Sequence, residues 1–342
     1  MFKNHKKKIL NKISKIDRTD FNYKFLIKEI AYLILKVENV LFNHKLAINP
    51  KIIVINYLED FYKRLNLLDE ISKFSNNELI NKQKFKLKKN HRVLFQKLWT
   101  YYNLKEFQNE RIGRYTRRIK LNKLVPLIKN KNCVDFGCGH GNFLSALIEN
   151  GAKEGVGIDY EGDSIKYAKK IARLLKFNNK LKFYKKSLYR SGLKSNKFDF
   201  AIQNGVFHHL ENEDSAYKEV HRVLKKDGYF WIYTDGGGGI RNFINDMCQL
   251  ILKKISYNYV VDVIRSMGLS INKIYHLSDH MNAKYRHTSK EKLIIRLKKI
   301  GFKNFRQLSG GEKTDSDKPF VKDKYFKEKF GSGDLRILCQ KK

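Results

Sequence analysis

The chain is poor in proline and cysteine. Of its 342 residues only three are proline and four are cysteine. Pro50, Pro126 and Pro319 mark no Pro-rich linker, and no Ser-rich one divides the chain either. Cys133, Cys138, Cys248 and Cys339 form neither a C-x-x-C pair nor a dense framework. That usage argues against a zinc knuckle or a disulfide-built secreted fold, and a reducing cytoplasm suits it best. Long apolar runs are also missing. The most apolar early stretch, Phe25 to Phe42, is broken by Lys28, Glu29, Lys36 and Glu38, too polar to span a bilayer. The basic N-terminus is followed by no secretory-type apolar segment, and no internal repeat is present. Acidic residues are scarce, 34 against 71 Lys and Arg, for a formal charge of +37.

Hydrophobic residues, 42% of the chain, suffice for a sizeable core in one large domain with additions or in two smaller ones. The charge is uneven. Residues 1–130 hold 30 Lys and Arg against 11 Asp and Glu, residues 131–235 hold 18 against 13, and the last 107 hold 23 against 10. A nearly neutral centre with basic flanks attracts phosphates on nucleic acid, anionic lipid or metabolites. Lys, Asn and Ile share A/T-rich codons, so genome composition accounts for part of the excess. The same bias raises Glu and leaves the imbalance only partly explained.

Apolar residues at three- and four-residue spacing (Leu26, Ile30, Leu33, Val37, Leu41) predict an amphipathic helix over residues 21–42, and Ile52 to Leu68 repeats the pattern. Ser75 to Asn90 reads as a connector or exposed helix. Residues 1–95 are expected to form a basic helical accessory region packed on the core; capping, dimerisation and contact with an anionic surface are the alternatives. Helix is expected again over residues 92–130. There Arg111, Arg114 and Arg118 share a face, by default a solvated one, alternatively a carboxylate or phosphate clamp.

From residue 132 the pattern alternates. Short apolar runs at 133–136, 155–158, 181–184, 198–203 and 229–233 read as strands, with helices between them, which predicts a parallel sheet covered on both faces. Gly137, Gly139 and Gly141 lie between the first strand and its helix, and Asp159 ends the second. A glycine loop lets a ligand approach the backbone, and an acid there accepts hydrogen bonds from both ribose hydroxyls. A dinucleotide fingerprint needs glycine at 142, where this chain has Asn142.

The block V-D-F-G-C-G-H-G at 134–141 resembles the first motif of class I S-adenosylmethionine-dependent methyltransferases. Residues 157–170 resemble that family's second strand and helix, 198–210 its fourth strand and loop, and 221–232 its approach to the fifth strand. The resemblance implies a Rossmann-like, seven-stranded, mostly parallel sheet in residues 96–342, with a helical lid inserted at about 236–288 and an antiparallel edge hairpin at the end. S-adenosylmethionine is the implied cofactor. Asp135, Gly137, Cys138, Gly139 and Gly141 would cradle its methionine and ribose, Asp159 its ribose diol, and Tyr160 would flank the adenine. Ser187 and Leu188 stand where the family often has an acid toward the adenine amine, which weakens that contact. Gln203 and Asn204 would face the sulfonium, and Arg114 or Tyr115 the cofactor carboxylate.

His208 and His209 follow strand four as candidate bases, with a structural role as the alternative, since methyl transfer often needs only alignment. Asp279, Arg286 and His287 are the candidate acceptor contacts. No carboxylate-plus-histidine cluster points to a metal. The acceptor reads first as a small molecule, such as a sugar or another metabolite methylated by related bacterial enzymes. An RNA acceptor is the second reading, although Gln203-Asn204-Gly205-Val206 lacks the prolines that base-amine methylation usually uses. A non-catalytic binding module, at RNA or a membrane surface, is the third.

Overall fold

The computed structural model describes residues 2–17, 19–75, 104–253, 255–282, 286–317 and 320–342. The connector expected at 75–90 falls almost wholly outside them. The chain divides into two compact units. One comprises Met1–Leu94, Gly238–Lys284 and Lys322–Gly331, the other Phe95–Gly237, Tyr285–Val321 and Ser332–Lys342.

The first unit is helical. Thr19 accepts the Asn22 amide at 3.1 Å and caps the helix Asp20–Leu41. Pro50 opens the helix Pro50–Ser75, where a missing amide hydrogen costs nothing. The apolar stripe of the first, from Leu26 to Val37, is buried, as are Val54, Leu58, Phe61 and Leu65 of the second. The segment after the fifth strand, expected as a lid, forms helices Gly239–Leu252, Tyr257–Arg265 and Ile271–Asn282 and belongs to this unit. Tyr259 donates to Asp20 Oδ1 at 2.6 Å, and Lys329, fully buried, pairs with Asp323 at 2.7 Å. No helix among the described residues is long and apolar enough to cross a membrane.

The second unit holds a seven-stranded sheet: β1 (Asn132–Phe136), β2 (Glu154–Asp159), β3 (Leu181–Lys185), β4 (Phe198–Asn204), β5 (Leu224–Asp235), β6 (Phe302–Gln307) and β7 (Asp334–Lys341). Their order is β3-β2-β1-β4-β5-β7-β6, with β1 to β5 parallel and β7 antiparallel to both neighbours. This is the Rossmann-like methyltransferase fold. Successive strands run outward from β1 in one direction to β3 and in the other from β4, so the chain reverses between β1 and β4, where sheets of this kind open a crevice at their carboxyl ends.

Each sheet face has its own core. Phe107, Leu144, Phe183 and Trp231 cluster on one, and Phe136, Tyr217, Phe230 and Phe302 on the other. Phe198 and Phe200 have the same parity yet fall in different clusters, because the β4–β5 register shifts between them. β5 begins five residues earlier than the apolar pattern suggests, because Leu224 pairs with Phe198 beyond the bulge. Ser289 caps the helix Lys290–Ile300 by accepting the Lys292 amide at 3.3 Å.

Residues 104–121 are helical, as the sequence suggests, but the helix is not uniform. Phe107–Ile112 is a π-helical turn, followed by the α-helix Gly113–Leu121. A π-turn adds a residue per turn and rotates the arginines' phase. Arg111 and Arg118 are buried, so the expected solvated face is not what they form. Arg118 instead donates to the Gly310 carbonyl at 2.8 Å and to Asp315 at 3.1 Å.

Candidate active site

The loop after β1 is built by its own backbone. Gly137 and Cys138 both donate to the Ile158 carbonyl, at 2.8 and 3.1 Å, and Gly141 donates to Cys138 at 2.8 Å. Gly139 and Gly141 have φ of 49° and 77°, in the left-handed region that costs other residues about 1–2 kcal/mol. Their surroundings differ. A Cβ on Gly141 would lie 2.7 Å from Phe183, whereas one on Gly139 would meet nothing within 4 Å. Gly141 is therefore required by packing, and Gly139 leaves open space at the crevice. Gly141→Ala is expected to cost about 2–4 kcal/mol in urea unfolding through backbone strain and overpacking. Gly139→Ala should cost about 1–2 kcal/mol but place a methyl in the ligand's path. Equal stability losses in the two variants would contradict this division.

Asp159 ties β2 to that loop. Its two carboxylate oxygens accept the Gly139 and Glu161 amides, each at 2.9 Å. Burial pushes its carboxyl above the ordinary range, and the amides of Glu161, Gly139 and Tyr160 pull it partly back. Tyr160 beside it is exposed. Asp135 is buried, and its Oδ1 has no hydrogen-bond partner among the described residues. Burial, with repulsion from Asp159, pushes the Asp135 carboxyl well above its usual range. A buried carboxyl oxygen left unsatisfied is costly, and the amino group of a ligand in the crevice would satisfy it. Cys138 is buried, Ser187 accepts the amides of Tyr189 and Arg190, and Leu188 is buried.

Gln203 is fully buried. Its amide nitrogen donates to the Tyr233 carbonyl at 3.0 Å, and its oxygen accepts the Val206 and Phe207 amides at 3.1 and 3.2 Å. These bonds make it the frame of the loop after β4. Asn204 accepts from Trp231 Nε1 and donates to the Tyr115 hydroxyl, each at 3.2 Å. Tyr115 stacks on Phe143, with ring centroids 4.5 Å apart. Arg114 Nε, a buried atom, has no hydrogen-bond partner among the described residues, which suits a donor awaiting a carboxylate.

At the ends of β4 and β5 lies a histidine chain. His208 Nδ1 accepts the Asp235 amide at 3.2 Å and lies 3.1 Å from the Thr234 hydroxyl. Its proton is thus on Nε2, which is 3.0 Å from His209 Nε2, and this places the His209 proton on Nδ1. Burial, with His209 beside it, pushes His208 well below the usual histidine range, so it stays neutral. His287 Nδ1 pairs with Asp235 at 2.7 Å. Arg286 donates its amide to the His208 carbonyl at 2.8 Å and its guanidinium to the Glu211 carbonyl. The Asp279 side chain lies outside the described ones. The sequence reading did not join Asp235 to His287, since 52 positions separate them; the position of Asp235 at a strand end was the available signal.

Residues 127–255 match the family model described as a methyltransferase domain. A protein-lysine N-methyltransferase of Saccharomyces cerevisiae is 30% identical over 116 residues, 30% of this chain and 51% of that protein. A ubiquinone biosynthesis O-methyltransferase of Pelagibacter ubique is 34% identical over 108 residues, 31% of this chain and 43% of that protein. The chain thus spans about half the length of these curated relatives. An S-adenosylmethionine-dependent methyltransferase structure from Thermotoga maritima is 19% identical with TM-score 0.45, covering 73% of this chain and 99% of its own. Residues 127–255 thus resemble a methyltransferase domain. The crevice residues could hold S-adenosylmethionine: Asp135 would meet its amino group, Arg114 its carboxylate and Asp159 its diol, with Gly139 leaving room for close approach.

Proposed function

We propose that the chain transfers the methyl group of S-adenosylmethionine to an oxygen or nitrogen of a small-molecule acceptor. The observation that carries this reading is the crevice, where an open Gly139, an unsatisfied Asp135 oxygen and the Asp159 carboxylate converge at one sheet edge. When bound, S-adenosylmethionine would supply an electrophilic methyl group to the acceptor's lone pair and keep the carbon–sulfur bond electrons on sulfur, and the acceptor's proton would pass to a base. His209 suits that base. It is half-buried and lies beside neutral His208, and its lone pair sits on Nε2, which would release the His208 N–H to take the acceptor proton. The small-molecule reading rests on the near-neutral centre and on a post-β4 loop that Gln203 holds by its backbone, without the prolines of base-stacking enzymes.

The test supplies S-adenosylmethionine carrying a labelled methyl to three fractions: metabolites, RNA and proteins. Label in the metabolite fraction is the expected result. Label confined to RNA or protein would overturn the acceptor class, and label in none would count against transfer itself. With the acceptor in hand, His209→Gln is expected to lower kcat by about 100-fold with little change in KM.

A further inference from the structure

Within the helical unit, three side chains that the methyltransferase chemistry does not use converge. Glu38 lies on the helix Asp20–Leu41 and is 6% exposed. His276 and His280 are four residues apart on the helix Ile271–Asn282 and so share its face. One donor atom from each of the three lies within 4.8 Å of the other two. His276 Nε2 meets Glu38 Oε1, and the two imidazole centroids are 4.2 Å apart. Lys273, half-exposed, holds the other carboxylate oxygen at 3.0 Å.

We propose that Glu38, His276 and His280 form a Zn²⁺ site that clasps these two helices together. Two imidazole nitrogens and one carboxylate oxygen are the donor set of a three-ligand zinc centre with a fourth position open to water. Imidazole donors select zinc and its transition-metal neighbours over Mg²⁺ or Ca²⁺. Two imidazolium rings packed this closely would repel each other, whereas two neutral rings on one cation do not. Zn²⁺ takes Glu38 Oε1 and competes with the Lys273 ammonium for the same carboxylate charge, so the lysine weakens the site.

The test uses the untagged full chain, stripped with chelator and titrated with Zn²⁺ against a chromophoric chelator, with Co²⁺ as the spectroscopic probe. Expected are a single equivalent of Zn²⁺ bound with micromolar or tighter affinity and the visible absorption of tetrahedral Co²⁺. His280→Gln should weaken Zn²⁺ by about tenfold or more. Lys273→Met should tighten it several-fold, which a purely structural ion pair does not predict. Absence of stoichiometric binding, or wild-type affinity in both variants, would overturn the site. If His280→Gln fails to fold, Lys273→Met decides alone: tightening upholds the proposal and unchanged affinity rejects it.

Discussion

Asp159→Ala is expected to weaken S-adenosylmethionine binding by about 100-fold or more in calorimetric titration. Hydrogen bonds to a charged acceptor contribute about 1.5–3 kcal/mol each, and a ribose diol makes two, so even the low end reaches two decades. The loss has a second source. Asp159 also holds the Gly139 amide at 2.9 Å, so the alanine variant loosens the segment that lines the crevice. Asp159→Asn separates the two: it keeps one acceptor oxygen for the loop and loses the charge, and an intermediate affinity is expected. Because burial raises the Asp159 carboxyl, cofactor affinity should begin to fall at a higher pH than an ordinary carboxylate would dictate. Unchanged affinity in a folded Asp159→Ala protein, checked by thermal melting, would sink the assignment of this crevice to the cofactor.

Local signals made the first half of the sheet legible. The glycine loop, its strand and helix, and Asp159 fall within 28 consecutive positions, 132–159, so the chemistry and the elements that present it are read together. The edge hairpin of β6 and β7 was legible only through the family resemblance, since a long segment separates its strands. What escaped depends on distance along the chain. Gln203 looked like a ligand contact because it ends β4, and only the fold shows that the Tyr233 carbonyl and two loop amides use its side chain. Arg118 looked solvated until the π-turn and the Asp315 segment, nearly 200 residues away, came together around it. The insert after β5 was readable as helical but not as part of the N-terminal unit, since amphipathic periodicity gives a buried face and not its partner. The pairs His208–His209 and His287–Asp235 show the two cases side by side, one adjacent in sequence and one made only by folding.

Arg336→Met is expected to lower the stability of the α/β unit by about 3–5 kcal/mol at neutral pH, out of the roughly 5–15 kcal/mol a domain has in all. Arg336 is 2% exposed and lies against three carboxylates: Asp315 at 2.7 Å, Asp334 at 3.4 Å, and Asp317. Its guanidinium also covers the Tyr233 ring, 4.4 Å from the centroid. Methionine fills similar volume but removes the guanidinium from all three acids, with Arg118 still on Asp315. The pH dependence identifies the cause. Burial lifts Asp317 to about 6 even with Arg336 pulling it down. A carboxyl raised in the folded state is favourable below its unfolded value of 3.8, and that contribution is lost as pH rises through about 6. Without the arginine the folded value rises further, so the variant's deficit should be largest at neutral pH and shrink toward about pH 5. Buried histidines act oppositely on both proteins. Burial, helped by Arg111, pushes His140 down to about 3, so its contribution is present above 6.5 and lost as pH falls. The quantity to measure is therefore the gap between variant and wild type in urea unfolding, not either curve alone. A gap that stays constant between neutral pH and about pH 5 would show that lost packing on Tyr233, and not unpaired carboxylates, sets the cost.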